Sequence, residues 1–376
     1  MRPWEFQLTT SIQFGRGTLR KLGPLAAALG RRAVVVGYRN REGMEQSYGR
    51  AEEVLAKAGL AVATFYQVEP EPETGLVDAC AVAVRQSDAE LVIGLGGGSV
   101  MDVAKAGAAV ARAGGRLADY LTADPAPAPR DSLRVIAVPT TAGTGSEVSD
   151  IAVFSMTNLR KVAIFGPSLR PRLAVIDPDL ALGSPAGLTA ACGADALGHA
   201  IEACVSRRAN PMAALLASQA VALIERNLAR ATAEPQEPEP REALAWAATL
   251  AGAAFTSSGV AGGHAVAQAL GEVLGMPHGR AVAVATPAML RHNAGACAEQ
   301  YGELARWCGL PDGSRWVERI EELLGSLGLL EPPAGNQSPD LIDRLVASAL
   351  AARVPLVQNP VRLDEAALRK IFTQIV

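Results

Sequence analysis

Three of the chain's four histidines fall into one pattern with an aspartate. Asp195 and His199 stand four apart in Gly193-Ala-Asp-Ala-Leu-Gly-His-Ala-Ile-Glu-Ala203, and on a helix that spacing puts both on one face. His264 follows in Gly262-Gly-His, and His278 comes fourteen residues later in Pro277-His-Gly279. One carboxylate and three imidazoles make a mixed oxygen and nitrogen shell that suits Fe²⁺, Zn²⁺, Co²⁺ or Mn²⁺ alike. Structural zinc sites are usually rich in cysteine, so a set without thiolate leans towards a catalytic ion that takes a substrate oxygen. Residue by residue, a core histidine satisfied by its neighbours looks the same. The fourth histidine, His292, reads as structural.

A second pattern lies upstream. Gly96-Gly-Gly-Ser-Val-Met-Asp-Val-Ala-Lys105 follows a buried apolar run and opens a helical one. Glycines there permit close backbone approach, and free N–H groups at a helix start suit a phosphate. The spacing is neither the G-x-G-x-x-G fingerprint nor a P-loop, and a tight strand–helix turn without a ligand fits it as well. Pro139-Thr-Thr-Ala-Gly-Thr-Gly-Ser-Glu147 follows another strand end. Ligands of open α/β sheets sit beyond the carboxyl ends of strands, so the two loops could line one crevice. The hydroxyls of Thr140, Thr141 and Thr144 then face phosphate, ribose or nicotinamide, or are ordinary turn hydroxyls.

The elements that must position these groups change character along the chain. At 376 residues, two domains are expected. Arg32–Gly37, Ala61–Tyr66, Ala89–Leu95, Val135–Val138 and Leu173–Ile176 read as strands, with helical stretches between the first of them, through Glu52–Ala58 and Thr74–Gln86. Alternation of this kind implies a mostly parallel sheet with helices on both faces. Past Asp177-Pro-Asp to Pro185 the strand signals fade and Ala/Leu-rich helices take over, as in 211–228 and 241–256. The expected domains are 1–185, α/β, and 186–376, all helical. Thr232–Arg241 and Pro332–Pro339, rich in proline, read as loops.

Composition removes other classes. A net charge of −3 gives no electrostatic case for nucleic acid or an anionic membrane. The apolar run near Ala243–Phe255 is too short for a span and reads as a buried helix. Met1–Leu8 has no apolar region of a signal peptide. Cys80, Cys192, Cys204, Cys297 and Cys308 contain no Cys-x-x-Cys and read as reduced residues of a cytoplasmic protein.

In this order, the glycine turn, the threonine loop, Asp-x-x-x-His and His-x13-Pro-His-Gly resemble the iron-containing (group III) alcohol dehydrogenases, from Ile12-Gln-Phe-Gly15 to Asn359-Pro360. The resemblance implies an N-terminal dinucleotide-binding domain and a helical metal-binding domain, a dehydroquinate synthase-like architecture. It implies NAD(P)(H)-dependent interconversion of small alcohols with aldehydes or ketones, a divalent metal (Fe²⁺ ahead of Zn²⁺), and a homodimer. Carried over by position, Asp195, His199, His264 and His278 match the metal ligands. Gly97, Gly98, Ser99 and Asp102 match the pyrophosphate turn and its following acid. Thr140, Thr141 and Thr144 match the nicotinamide-side loop, and Lys161 matches a ribose-contacting lysine.

Three positions depart from that pattern. Gln268 stands where many members carry a second histidine assigned to proton relay, and an amide has no useful pKa for that work. Tyr38-Arg39 follows the first α/β strand where NAD-preferring members often place an aspartate. Without that acid, and with Arg39 adjacent, the chain leans towards NADP(H). Glu71 replaces a commonly uncharged polar residue. Two other readings stay open: a non-redox enzyme related to the sugar-phosphate cyclases, which also bind NAD and a metal, and a catalytically impaired family member.

Overall fold

The computed structural model describes residues 3–123, 125–156, 161–331 and 339–376. Its contacts divide the chain into two compact units. One comprises residues 8–141 and 145–182. The other comprises residues 183–376 with two short segments, Met1–Gln7 and Ala142–Thr144. The division at 182/183 lies three residues before the expected 185/186 boundary.

The first unit alternates strands and helices: β1 (Ser11–Phe14), α1 (Leu22–Ala27), β2 (Arg32–Tyr38), α2 (Glu45–Lys57), β3 (Ala61–Val68), α3 (Thr74–Gln86), β4 (Leu91–Gly96) and α4 (Gly98–Ala113). Then come β5 (Ala126–Pro127), β6 (Arg134–Pro139), β7 (Ile151–Ser155), β8 (Lys161–Phe165) and β9 (Leu173–Ile176). Six strands form one parallel sheet in the order β1-β9-β6-β4-β2-β3. Side chains on a strand alternate between faces, and the core shows it. Val35, Ile93, Ile136 and Val175 pack with Leu22, Tyr48 and Leu55 of α1 and α2. Their neighbours Val34, Val36, Val92 and Val135 pack with Val77, Val84 and Val103 of α3 and α4. Burial on both faces explains why these strands read as unbroken apolar runs.

A smaller sheet, β5-β8-β7, escapes the sequence reading. β7 and β8 pair antiparallel, and Ala152, Phe154, Val162 and Ile164 pack into the α3–α4 core. Each run is five residues with mixed burial, too short to stand out as a period-two signal.

What ties this sheet to the larger one is a buried charge. Lys105 of α4 is wholly buried; its Nζ donates to the carbonyls of Ser146 (3.2 Å) and Ile151 (2.6 Å) and to Ser149 Oγ (3.2 Å). It also pairs with Asp102 Oδ1 at 3.1 Å. Asp102 in turn accepts from Ser146 Oγ (2.6 Å) and the Val153 backbone N–H (2.9 Å). A buried cation is tolerable only when paired and hydrogen-bonded to this degree.

Among the described residues every regular element of the second unit is a helix: α5 (Ala186–Val205), α6 (Pro211–Ala233), α7 (Pro238–Ser258), α8 (Gly262–Leu274) and α9 (His278–Asn293). These are followed by α10 (Ala298–Cys308), α11 (Gly313–Ser326), α12 (Pro339–Ala351), α13 (Arg353–Gln358) and α14 (Glu365–Ile375). α5 is buried on nearly all sides from Thr189 onward, as its apolar composition requires. Among the described residues no single helix is long and apolar enough to cross a membrane, and the apolar run 243–255 lies inside α7, largely buried. The loop expected over Thr232–Arg241 shrinks to residues 234–237, because Pro238 opens α7 at the one helical turn where proline's missing N–H is harmless. Of the loop expected at Pro332–Pro339, residues 332–338 lie outside the described residues, and Pro339 begins α12.

Replacing Lys105 by methionine leaves Asp102 without its counter-charge. Unfolding in urea is expected to show a loss of about 3 kcal/mol or more; a loss within measurement error would show that the network does not hold the two sheets together.

Candidate functional site

α5 carries Asp195 and His199 one turn apart, α8 brings His264 from its first turn, and α9 begins at His278. All three helices pack on one another. Pro277 caps α9, whose first two residues are His278 and Gly279. Gly279 is needed there because a Cβ would stand 2.3 Å from the Ala191 carbonyl oxygen of α5. Close approach of the two backbones carries His278 Nε2 to 3.4 Å from Asp195 Oδ1.

Asp195, His199 and His264 each offer a ligand atom within 4.8 Å of the other two, and all three residues are buried. Asp195 Oδ1 lies 3.9 Å from both His199 Nδ1 and His264 Nε2. These three atoms are buried and have no hydrogen-bond partner among the described residues. Ring packing holds the imidazoles in place: His199 stacks on Phe255 of α7 (centroids 4.4 Å apart) and on His264 (4.5 Å). His278 stands at the open side, its ring 45% exposed. The structure thus brings all four expected ligands to one place.

The local electrostatics suit a cation. Burial alone would raise the Asp195 carboxyl, but the imidazoles of His199, His278 and His264 outweigh it and hold the group below the usual carboxylate range. Burial pushes His199 down to about 4, so its ring is neutral at physiological pH. Burial acts likewise on His264, but the Glu202 carboxylate, 2.9 Å from its Nδ1, more than reverses it and raises the group.

On the sheet unit, the residues following β2, β4 and β6 form the carboxyl edge of adjacent strands. α1 and α2 cover one face and α3 and α4 the other, so the winding reverses between β2 and β4. At such a switch point an open sheet has its ligand crevice. The glycine turn lies there: Gly97 precedes α4, which starts at Gly98 and presents its free N–H groups. A Cβ on Gly97 would stand 2.7 Å from the Tyr38 hydroxyl and 3.1 Å from Thr141 Oγ1, so only glycine fits between them. The Thr140 N–H donates to the Gly96 carbonyl at 3.0 Å, fixing the threonine loop to the turn. Thr140 and Thr141 belong to the sheet unit and Thr144 to the helical one.

The remaining cofactor-side candidates have partners inside the protein. Asp102 uses both carboxylate oxygens in bracing α4, as described above. Lys161 Nζ pairs with Glu71 Oε2 (2.9 Å) and donates to Ser155 Oγ (2.8 Å). Glu71 has φ 55, a strained value for a residue with a side chain, and its N–H donates to Ser99 Oγ at 3.3 Å. Arg39 Nη1 pairs with Glu69 Oε1 at 2.9 Å, both largely exposed. Gln268 donates to Glu272 Oε1 (3.0 Å), whose other oxygen accepts from Ser348 Oγ (2.6 Å). All five cysteines are free thiols, and burial holds Cys80, Cys204, Cys297 and Cys308 protonated.

Comparison with known proteins agrees with this geometry. Residues 9–178 match the model of the iron-containing alcohol dehydrogenases, and residues 189–376 match that of their C-terminal region. The chain belongs to the iron-containing alcohol dehydrogenase family. It is 35% identical over 309 residues to the NAD-dependent methanol dehydrogenase of Bacillus methanolicus, covering 81% of this chain and 80% of that protein. It is 33% identical to long-chain-alcohol dehydrogenase 1 of Geobacillus thermodenitrificans, covering 95% and 93%. The crystal structure of sulfoacetaldehyde reductase from Bifidobacterium kashiwanohense in complex with NAD⁺ superimposes with a TM-score of 0.91 at 30% identity, covering 100% of this chain and 99% of that one. The chain is an enzyme: an oxidoreductase of the metal- and nicotinamide-dependent kind that interconverts alcohols with aldehydes or ketones.

Sequence reasoning missed Glu202, although it was part of the quoted motif. The available signal was its position three residues after His199, on the same side of an otherwise apolar helix.

The low pKa of His199 predicts the acid response of the metal-free protein. An unfolded histidine titrates near 6.5, the folded one near 4. Between these values the unfolded chain binds the extra proton, so the His199 contribution to stability is lost as pH falls from about 6.5 towards about 4. Melting temperatures of wild type and His199→Asn across that window should show a shallower slope for the variant; parallel slopes would refute the assignment.

Proposed function

We propose that Asp195, His199, His264 and His278 hold one divalent ion, Fe²⁺ ahead of Zn²⁺, and that the enzyme moves hydride between NADP(H) and a small alcohol or its carbonyl counterpart. One observation carries the metal reading: three buried, unpartnered atoms converge from Asp195, His199 and His264. Leaving such groups unmet costs about 1–3 kcal/mol each, and a cation among them answers all three. When bound, the ion supplies Lewis acidity at a substrate oxygen, and the nicotinamide gives or takes the hydride.

The chain's own residues do the positioning. Asp195 stays ionised and His199 stays neutral, so both present lone pairs at physiological pH. Gly97, Gly98 and Ser99 receive the pyrophosphate at the start of α4, where the helix dipole favours an anion. Thr140, Thr141 and Thr144 line the nicotinamide side. Lys161, held by Glu71, faces the ribose, and Asp102 acts through the loop it braces. Arg39 accepts the 2′-phosphate of NADP(H). Its pair with Glu69 is a surface contact, of a kind worth little, so it yields to a stronger anion. The relatives are named for methanol, long-chain alcohols and sulfoacetaldehyde, which supports the alcohol–carbonyl class without choosing a substrate.

Metal-loaded protein mixed with NADPH or NADH and a panel of aldehydes is expected to consume the reduced cofactor. No turnover with any aldehyde or ketone, once cofactor binding is confirmed, would sink the reading. Arg39→Ala should weaken NADPH binding about tenfold, the worth of one charge-assisted hydrogen bond, and leave NADH unchanged; equal effects on both would argue against the NADP(H) preference. Gln268→His restores a titratable ring one turn beyond His264. An increase in kcat on the order of tenfold or more, with a new limb in its pH profile, is expected where proton transfer limits the rate; an unchanged rate shows that another relay suffices.

A further inference from the structure

α5 carries two carboxylates with opposite situations. Asp195 Oδ1 lacks a partner, whereas Glu202, also buried, is engaged on both oxygens. Glu202 Oε1 accepts from the His264 backbone N–H at 3.0 Å. Oε2 accepts from the Ala261 backbone N–H and lies 2.9 Å from His264 Nδ1. One carboxylate therefore grips a single histidine by its backbone and its ring.

The surrounding residues are arranged for that grip. Ala261, the residue before α8, has no side chain able to cap the helix, so the free N–H groups of its first turn need partners from elsewhere. Glu202 supplies two, and Asn359 Oδ1 takes the Gly262 N–H at 3.2 Å, itself fixed by Asn293. At Gly263 a Cβ would stand 2.1 Å from Glu202 Oε1, so glycine there leaves the space the carboxylate occupies. Beyond Glu202, a cavity of about 20 Å³ lined also by Thr286, Asn293, Tyr301 and Asn359 has room for a single water.

An ionised carboxylate only accepts, so the neutral His264 ring must carry its proton on Nδ1. The lone pair is then on Nε2, the atom that is buried without a partner and faces Asp195. We propose that Glu202 is a positioning residue of the metal centre: it selects the His264 tautomer, fixes the ring and raises the basicity of Nε2. The proposal rests on the reading of Asp195, His199, His264 and His278 as ligands. Carboxylate–histidine–metal arrangements of this kind typically change metal affinity 10–100-fold when broken.

Two measurements test it. With four histidines, long-range ¹H–¹⁵N correlation of imidazole-labelled, metal-free protein at alkaline pH resolves each tautomer, His264 being assigned by its loss in His264→Asn. His264 is expected as the Nδ1–H form in wild type and as a mixture in Glu202→Gln; an Nε2–H form in wild type overturns the proposal. Zinc affinity by chelator competition should fall about 10–100-fold in Glu202→Gln. Equal affinity overturns the proposal while leaving the metal reading intact, whereas absence of zinc binding by wild type removes both. Should Glu202→Gln not fold, Gly263→Ala displaces the carboxylate without removing it and is expected to weaken zinc in the same sense; unaltered affinity there overturns the proposal.

Discussion

The constraint at the centre of α5, α8 and α9 is that the lone pairs of Asp195, His199 and His264 face one another, buried, with no hydrogen-bond partner among the described residues. Such a cluster is destabilising by itself, and a chain does not keep it without a compensating cation or a large apolar frame. The frame is visible. α5 is buried on nearly all sides, and Phe255 stacks beneath His199. Gly279 lets α9 close on the α5 backbone. A rigid apolar surround keeps the three groups from turning away towards water or one another. A cation meets a carboxylate and imidazole lone pairs together.

The sheet unit answers a different constraint, that of leaving backbone N–H groups free at one edge. Gly97 has no room for a side chain between Tyr38 and Thr141, so the turn is defined by what packs against it. Lys105 and Asp102 do not need to touch a ligand to matter. Through Ser146, Ser149 and Ile151 they bind the start of α4 to the segment carrying the threonine loop. The glycine turn and the buried ionic brace thus lie one helical turn apart in one continuous motif.

Much of this was legible in the sequence, and the gaps have physical causes. The parallel strands announced themselves because both of their faces are buried, which leaves runs such as Ala33-Val-Val-Val36 with no polar interruption. β9 matches its expected range for the same reason, and α3 matches because Val77, Cys80, Ala81 and Val84 give it one buried apolar face. β7 and β8 did not, since five residues with mixed burial carry little periodicity. The end of α6 and the start of α7 were misplaced because proline was read as a breaker where it is a helix opener. At the site, residue type alone picked out four side chains that the fold brings together. It could not find the partners of Asp102 and Lys161, which come from segments distant in sequence. Nor could it tell that Glu202 is fully engaged while Asp195, seven residues earlier on the same helix, is not.

That contrast bears on Gln268, which also lies on α8. His264 is held from one side by Glu202, and one turn further on the Gln268 amide is held by Glu272, itself held by Ser348. His264 and Gln268 are thus both fixed by carboxylates, but with different consequences. A carboxylate facing an imidazole chooses which nitrogen carries the proton and so shapes a ligand. Facing an amide, it merely orients a group that cannot exchange protons in the working range. The first turn of α8 is supported independently of residue 268, because that support comes from α5 and Asn359. The support of His264 and the hydrogen bonding of Gln268 are therefore separate networks on one helix.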